Sequence, residues 1–349
     1  MNKRKITVGV TGLNNIDSPG PGIPVIRALK ESTLFDVRII GLSYESLEPG
    51  LYMHDLVDKS YTIPMPTAGS SVLFDRLSYI SNKENLDVII PNFDAELHNF
   101  IRLAPSLKQQ LNISTFLPTQ EQFESRHKSV LFEFGKDNDV KVPFAKMIFS
   151  ANEIHDLKDE FTYPLVIKGK YYDASIAATP EQAISYFYNI SAKWGLPIIV
   201  QEFVSGNEVN VTAIGNGKGN CIGAVPMRKL YITDKGKAWA GVALDDEKLI
   251  EITNRVIANS KWRGGCELEF IKTKNGEYYL LEMNPRFPAW VYLAVGCGQN
   301  HPEALVQMAL GTPPKPFKKY EHGKMFVRYS YDQIVSMDEF EKISTLGEL

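Results

Sequence analysis

The chain has 349 residues, 44% hydrophobic and 23% charged, which is the balance of a soluble globular protein with more than one subdomain. Its formal net charge is −3, so no basic excess points to nucleic acid or to an anionic membrane as a partner. The three cysteines form no C-x-x-C pair, and no apolar run reaches membrane-spanning length. These features exclude a zinc ribbon and a membrane span, and they predict a cytoplasmic protein in a reducing compartment.

The first third of the chain alternates strand and helix patterns. The predicted strands are Ile6–Thr11, Val37–Leu42, Leu86–Pro91 and Ile113–Leu117, and the predicted helices are Ile23–Leu34, Val72–Lys83 and Phe93–Gln110. Such alternation implies a parallel sheet. The glycine-rich segment Gly9–Gly22 superficially suggests a dinucleotide site. It lacks G-x-G-x-x-G, so we interpret it as a loop that serves turn geometry.

A linker around Pro118 leads into a small α+β unit that reaches about residue 200. Its predicted elements are helix Ser129–Asn138, strands Phe144–Phe149 and Pro164–Lys168, helix Pro180–Trp194 and strand Ile198–Glu202. Several strands follow, and the later elements are helices around Asp245–Ser260, Ala289–Val295 and Pro302–Leu310 and a last strand Met325–Tyr331.

The most informative feature is a hairpin with acidic residues on it. The β-rich runs Cys266–Phe270 and Tyr278–Arg286 flank an Asn-Gly turn. Glu282 and Asn284 are two residues apart and therefore share a face of their strand, opposite Glu269. These hard oxygen ligands suit Mg²⁺ bound together with nucleotide phosphates.

Arg286 continues the same face and adds a planar cation for an anionic substrate or phosphate. At this point the chain resembles the ATP-grasp superfamily of carboxylate–amine ligases, in the branch with biotin carboxylase and carbamoyl phosphate synthetase. Its metal hairpin ends in a similar Glu-x-Asn-x-Arg. The resemblance implies the ligands Glu269, Glu282 and Asn284 for Mg²⁺, with Mn²⁺ as an alternative, and ATP as the nucleotide.

The resemblance also implies a fold class, α/β plus α+β. An N-terminal Rossmann-like pre-ATP-grasp domain would occupy residues 1–117, the small subdomain 118–200, and the large subdomain with the metal site 201–349. In this family the first domain shapes the substrate site and usually binds no nucleotide.

Two lysines match the family's phosphate-binding positions. Lys168 ends an apolar strand, and Lys128 opens a helix, where it follows His127 instead of the family's acidic residue. After Lys168 the family has a glycine-rich loop that closes over the phosphates. Here the segment Gly169–Ser175 has one glycine, so we expect a loop that is less mobile or that needs substrate to close.

The segment Ile198–Glu208 resembles the family's interlobe hinge, whose extended backbone meets the adenine edge. The resemblance assigns nucleotide contacts to four consecutive residues and places Glu208 on the ribose hydroxyls. The four residues are Gln201, Glu202, Phe203 and Val204.

The implied chemistry is an acylphosphate route that releases ADP and phosphate. Arg286 and Arg228 would steer a substrate carboxylate, which takes the γ-phosphoryl group before an amine attacks. Phe287 and Trp290 follow Arg286, and we interpret them as half core and half pocket wall. They favour an amino acid or peptide as the carboxylate partner, with Trp290 setting specificity more than stability. A homodimer is compatible with the resemblance.

Three other functions remain open at this stage. A bicarbonate-activating carboxylase or carbamoyl-phosphate-type enzyme is disfavoured because no carrier or amidotransferase region is evident in the chain. A nucleotide-binding protein without catalysis is disfavoured by the retained carboxylates, Asn284 and both lysines. A Rossmann dehydrogenase is disfavoured by the missing glycine fingerprint.

Overall fold

The computed structural model describes residues 3–15, 18–170 and 173–349. The chain packs into two compact units. The first comprises Met1–Phe123, Asn210–Glu267 and Asn284–Leu349, and the second comprises Glu124–Val209 and Leu268–Met283. Each unit is therefore assembled from segments that are far apart in the sequence.

The first unit begins with a four-stranded parallel sheet, as the β-α alternation predicted. Its strands are β1 (Arg4–Val10), β2 (Phe35–Ser43), β3 (Lys59–Thr62) and β4 (Val88–Ile90), in the order β3-β2-β1-β4. The helices are α1 (Gly22–Lys30), α2 (Ser70–Glu84) and α3 (Asp94–Leu111). Val8 and Ile39 pack with Ile26 of α1 in one core cluster, whereas Ile40 packs with Phe100 of α3 in another. The sheet is thus buried on both faces, which explains its nearly continuous apolar strands.

The predicted strand Ile113–Leu117 is wrong. Only Ser114 forms an isolated bridge, to Val88. Ile113 and Leu117 are buried in the core, so their apolar character reflects packing rather than strand pairing. The guanidinium of Arg263 donates to the carbonyl of Leu117, so a side chain and not a strand backbone supplies a hydrogen bond to this carbonyl.

The last residues of the chain return to the edge of this sheet. Helix α11 (Met337–Leu346) begins with a capping box between Ser336 and Glu339 and ends at Gly347. The backbone of Leu349 then exchanges hydrogen bonds with Ser60 of β3, at 2.9 and 2.8 Å. This C-terminal clasp, residues 347–349, completes the outer edge of the sheet.

The second unit contains an antiparallel sheet, in the order β5-β8-β6-β7. Its strands are β5 (Ala145–Ile148), β6 (Leu165–Gly169), β7 (Ala174–Ala177) and β8 (Ile198–Glu202). Short helix α4 (Gln120–Ser125) precedes it, and α5 (Leu131–Asp137), α6 (Glu153–Asp156) and α7 (Pro180–Trp194) accompany it. Phe187 of α7 packs on Ile167 and Val200, which forms the core of this unit.

A third sheet has six strands, in the order β13-β12-β9-β10-β11-β14. They are β9 (Asn207–Asn216), β10 (Cys221–Ile232), β11 (Ala238–Ala243), β12 (Arg263–Lys272), β13 (Tyr278–Asn284) and β14 (Met325–Val327). The associated helices are α8 (Glu247–Asn259), α9 (Tyr292–Gly296) and α10 (His301–Ala309). The predicted hairpin is present as β12 and β13, whereas the predicted strand Met325–Tyr331 ends at Val327. Across the described residues, no helix has both the length and the apolar character that a membrane crossing needs.

Candidate active site

Two lysines and a glutamate form a charged cluster in the second unit. Lys168 lies on β6, and Lys128 lies in the turn before α5. The Nζ atom of Lys128 is 3.3 Å from Oε2 of Glu282, and both side chains are about one-third exposed (27% and 32%). The structure therefore brings together two predicted phosphate ligands and one predicted metal ligand.

The charge of Lys168 is sensitive to this environment. Burial, and secondly the nearby positive charge of Lys128, lower the pKa of Lys168 to about 8. The carboxylates of Glu282 and Glu269 act in the opposite direction, because they favour the charged ammonium. Lys168 is thus poised to lose its proton far more easily than an exposed lysine.

The two lysines also line a largely apolar cleft in the same unit. Gln201, which is 5% exposed, contributes a polar side chain to it. The remaining lining is apolar and comes from Leu131, Phe132, Val142, Pro143, Ala145, Ile199 and Leu281. The lining of the cleft thus combines apolar side chains with two cations.

The other predicted hinge residues lie outside that lining. Glu202 ends β8, and its backbone N–H and carboxylate tie it to Phe144 at 2.8 and 3.3 Å. Phe203 and Val204 follow in the half-buried connection to β9, and Glu208 lies at the start of β9. Within the described residues, only Gln201 of this predicted group lines the cleft.

The predicted phosphate loop is described only at its two ends, because Tyr171 and Tyr172 lie outside the described residues. The N–H of Gly169 donates to the carbonyl of Asp173 at 3.0 Å. The carboxylate of Asp173 accepts from Lys193 and from the indole of Trp194, both at 2.8 Å. The C-terminal end of the loop is therefore attached to helix α7.

In the first unit, a buried carboxylate that sequence reasoning missed organises two predicted site residues. Glu267 is 6% exposed. Its Oε2 accepts from Nδ2 of Asn284 at 3.3 Å and from Nη1 of Arg286 at 3.2 Å. Its Oε1 accepts from Asn210 at 3.2 Å and from Trp290 at 2.7 Å. The only sequence signal was its place in an apolar strand, two residues before Glu269.

Two further residues near Glu267 were also missed. The Nε atom of Arg286 is 3.2 Å from Oδ1 of Asp94, which begins α3. Arg328 donates to Oγ of Ser18 at 2.9 Å and to the carbonyl of Ala289 at 2.8 Å. Burial lowers the pKa of Arg328 to about 10, with the charge of Glu267 opposing it. The first unit therefore holds two arginines that interact with Glu267, while Arg228, at the end of the buried part of β10, is exposed.

The interpretation of the aromatic residues after Arg286 as part pocket wall is wrong for Trp290, whereas Phe287 lines a small cavity together with Arg286. Trp290 is 5% exposed and packs with Val225, Met227 and Leu293, while Phe287 is 2% exposed within the larger core. The indole N–H of Trp290 is directed at Glu267, so both its apolar and its polar parts have partners inside the unit.

The side chains predicted as metal ligands carry oxygen donors of the type that a hard divalent cation binds. Glu269 and Glu282 are half-buried carboxylates of the second unit, and Asn284 is a buried amide of the first. In the described part of the chain, no three His, Cys, Asp or Glu side chains group closely enough to hold a metal.

A family model matches residues 196–331, and its description is "ATP-grasp in the biosynthetic pathway with Ter operon". The chain is similar to the carbamoyl phosphate synthase large chain of Clostridium botulinum (strain Eklund 17B / Type B), with 24% identity over 302 residues. That match covers 82% of this chain but only 27% of the relative's length.

Solved structures share the fold. One is the biotin carboxylase domain dimer of Hydrogenobacter thermophilus 2-oxoglutarate carboxylase, in complex with MgADP, ADP and bicarbonate. Its TM-score is 0.70 at 16% identity, covering 91% of this chain and 73% of that one. Another is the L-amino acid ligase from Bacillus licheniformis, with a TM-score of 0.65 at 15% identity, covering 90% and 76% of the two chains. Together with the matched family model, these findings confirm the predicted resemblance to the ATP-grasp superfamily.

Proposed function

We propose that this protein is an ATP-dependent carboxylate–amine ligase that forms an amide or peptide bond and releases ADP and phosphate. The observation that carries the proposal is the cluster of Lys128, Lys168 and Glu282 beside an apolar cleft. In the proposal, the base lies in the cleft near Gln201 and the lysines contact the phosphates. The hinge residues Glu202, Phe203 and Val204 and the ribose contact of Glu208 remain proposals from the resemblance.

The proposed metal ligands are Glu269, Glu282 and Asn284, whose oxygens would hold Mg²⁺, or Mn²⁺ in its place. The bound ion would neutralise negative charge on the γ-phosphate. This chain's own residues position the reactants. Arg286 is the better placed of the two proposed steering arginines, because carboxylates hold it in place, whereas Arg228 is exposed.

In the proposed reaction a substrate carboxylate oxygen attacks the γ-phosphorus, and the bond to the β-phosphate oxygen breaks to give ADP and an acylphosphate. An amine then attacks the acyl carbon, loses a proton, and displaces inorganic phosphate. Both steps depend mainly on positioning and charge compensation. The fold shared with an L-amino acid ligase supports an amino acid or peptide as the carboxylate.

We expect nucleotide turnover to give ADP and not AMP, because the proposed route phosphorylates the carboxylate instead of adenylating it. Purified protein is incubated with ATP, Mg²⁺ and pairs of amino acids, and the spent nucleotide is separated by chromatography. Reactions without amino acids provide the control for uncoupled hydrolysis. AMP with pyrophosphate as the main product would rule out the proposed mechanism.

Nucleotide affinity should depend on pH through Lys168. Its folded pKa is about 8, so the free protein carries the charge that attracts phosphate below this value and loses it above. Metal-free ADP affinity should therefore be steady below pH 8 and fall above it, by up to about tenfold per pH unit. Calorimetric titration from pH 7 to 10 measures this. Lys168→Arg, which stays protonated throughout, should remove the decline, and an identical decline in that variant would contradict the assignment.

The same pKa shift has the opposite consequence for folding. An unfolded lysine titrates near pH 10.4, so between about pH 8 and 10.4 the unfolded chain binds more protons than the folded one. The contribution of Lys168 to the free energy of unfolding therefore rises with pH in that window. Weaker nucleotide binding above pH 8 should thus not be accompanied by a loss of stability from this residue.

Bicarbonate is the alternative carboxyl donor, and the similarity to a carbamoyl phosphate synthase large chain favours testing it. Bicarbonate-dependent ADP release without an amino acid would select that alternative. Stoichiometric nucleotide binding with no ADP release under any condition would select a non-catalytic nucleotide-binding protein.

The N-terminal parallel sheet is proposed to be the Rossmann-like pre-ATP-grasp domain, and the boundaries at 117 and 200 stay part of this proposal. A homodimer is also proposed, since one structure with the same fold is a dimer.

A further inference from the structure

Among the described residues, every hydrogen bond to the buried carboxylate of Glu267 comes from an N–H donor. Asn210 and Trp290 donate to Oε1 at 3.2 and 2.7 Å, and Asn284 and Arg286 donate to Oε2 at 3.3 and 3.2 Å. An isolated buried charge is costly, but four donors, one of them an arginine, compensate this one. Each oxygen of the carboxylate thus accepts two hydrogen bonds. The two donors to Oε2, Asn284 and Arg286, belong to the proposed active site.

The hydrogen bond to Glu267 fixes the orientation of the side-chain amide of Asn284. The oxygen and the NH₂ group of an amide have nearly the same shape, so packing alone does not distinguish the two orientations. A carboxylate accepts hydrogen bonds and does not donate them, so the NH₂ group must face Glu267. Oδ1 is consequently turned away from Glu267, and a carbonyl oxygen is the amide atom that can bind a hard cation.

For Arg286 the contact fixes the guanidinium plane. Glu267 holds Nη1 and Asp94 holds Nε, both at 3.2 Å, and the arginine side chain is 20% exposed. A guanidinium held at two of its nitrogens retains little freedom to rotate, so its remaining donors point in fixed directions.

We propose that Glu267 is a positioning residue that presents the carbonyl oxygen of Asn284 to a divalent cation and orients Arg286 for an anionic substrate. The inference rests on the proposed function, in which Asn284 is a metal ligand. Carboxylates that orient metal ligands from behind typically change metal affinity by about 10- to 100-fold when they are removed.

The test is direct binding of Mn²⁺ in the presence of ADP, followed by the electron paramagnetic resonance signal of the free ion. In Glu267→Gln an NH₂ group replaces one carboxylate oxygen. At the Oε2 position it faces the N–H donors of Asn284 and Arg286, and flipping the Asn284 amide, which turns its NH₂ toward the metal, removes one of these two conflicts. We expect Mn²⁺ affinity to fall about 10- to 100-fold. ADP affinity measured in EDTA should be unchanged, and it also verifies that the variant is folded.

Trp290→Phe is the matched control, because it removes a donor to Oε1 and leaves the contacts of Oε2 in place. We expect its Mn²⁺ affinity to stay near the wild-type value. An equal loss of affinity in Trp290→Phe and Glu267→Gln would assign Glu267 a general structural role and overturn the proposal.

The double variant Glu267→Gln/Asn284→Asp provides a rescue. A carboxylate at position 284 offers an oxygen in either orientation and accepts a hydrogen bond from the amide at position 267. Mn²⁺ affinity should therefore rise well above that of Glu267→Gln. The absence of any rescue, or a wild-type affinity in Glu267→Gln itself, overturns the proposal.

Asn284→Ala alone keeps the proposal testable even if Glu267→Gln does not fold, because it removes the proposed metal ligand itself. We expect weaker Mn²⁺ binding than in the wild type, and an unchanged Mn²⁺ affinity overturns the proposal. If the wild-type protein with ADP binds no Mn²⁺, the proposed metal–nucleotide site fails as well, which separates that failure from the failure of Glu267 alone.

Discussion

Replacing Glu282 with glutamine should reduce ADP release by roughly 100- to 1000-fold, or about 2.7–4 kcal/mol of transition-state stabilisation. The amide keeps the size of the side chain but loses the charge that Mg²⁺ prefers and that lies 3.3 Å from Lys128. Lys128 would also lose its anionic partner. Initial rates of ADP release at saturating ATP measure the effect, and circular dichroism with thermal melting establishes that the variant is folded.

Glu277→Gln is the matched control for this experiment. Glu277 belongs to the same unit and the same hairpin, but its side chain is 42% exposed and pairs with Lys141 on the surface. Exposed ion pairs contribute little to stability, so we expect wild-type turnover and a free energy of unfolding within about 0.5 kcal/mol. Near-normal ADP release by folded Glu282→Gln would contradict the assignment of the metal site to this hairpin.

Trp290→Ala should lower the free energy of unfolding by about 3–5 kcal/mol, because it leaves a cavity in a packed core. The side chain is 5% exposed among Val225, Met227 and Leu293, and its loss also removes a hydrogen bond to buried Glu267. This expectation reverses the sequence-based prediction, in which the truncation would change substrate preference and leave stability largely intact. Chemical denaturation of the variant, compared with the wild type, measures the difference.

Two variants separate the causes of that loss. Trp290→Phe keeps most of the apolar volume and removes one of the two donors to Oε1 of the charged Glu267, which should cost about 1.5–3 kcal/mol. Tyr329→Ala truncates an aromatic ring of the same unit that is 77% exposed, and it should change stability by less than about 0.5 kcal/mol. A small stability loss in Trp290→Ala, together with an altered substrate profile, would show that Trp290 lines the acceptor pocket, as the sequence analysis predicted.

The elements that were predicted correctly are those whose ends are set by nearby residues in the sequence. The hairpin β12–β13 was predictable because an Asn-Gly turn separates two β-rich runs, and α7 because Pro180 and Trp194 bound a regular apolar repeat. Strand β3 was missed because its sequence, Lys-Ser-Tyr-Thr, has no apolar run. Helix α11 was missed although Ser336 and Glu339 form a readable capping box.

The partners of the site residues could not be predicted in the same way. Lys128 and Lys168 were identified because a family motif marks them, but the lowered pKa of Lys168 depends on burial, which the sequence does not reveal. Asp94 and Arg286 lie in distant parts of the chain, and only the folded first unit brings them within 3.2 Å. Trp290 was misjudged because an aromatic residue after a site motif has the same pattern whether it faces a pocket or a core.

The C-terminal clasp limits how far the first unit can fold while the chain is still being synthesised on the ribosome. Strand β3 receives its outer neighbour only when residues 347–349 have been synthesised, and Val8 of the first strand shares its core cluster with Phe287 and Leu305. A nascent chain that ends near residue 123 therefore exposes an unpaired strand edge and an uncovered apolar surface, both of which favour misassociation. Segment 124–209 of the second unit emerges next and contains its own antiparallel sheet. This segment can therefore start to fold before the last segment of the first unit has been synthesised.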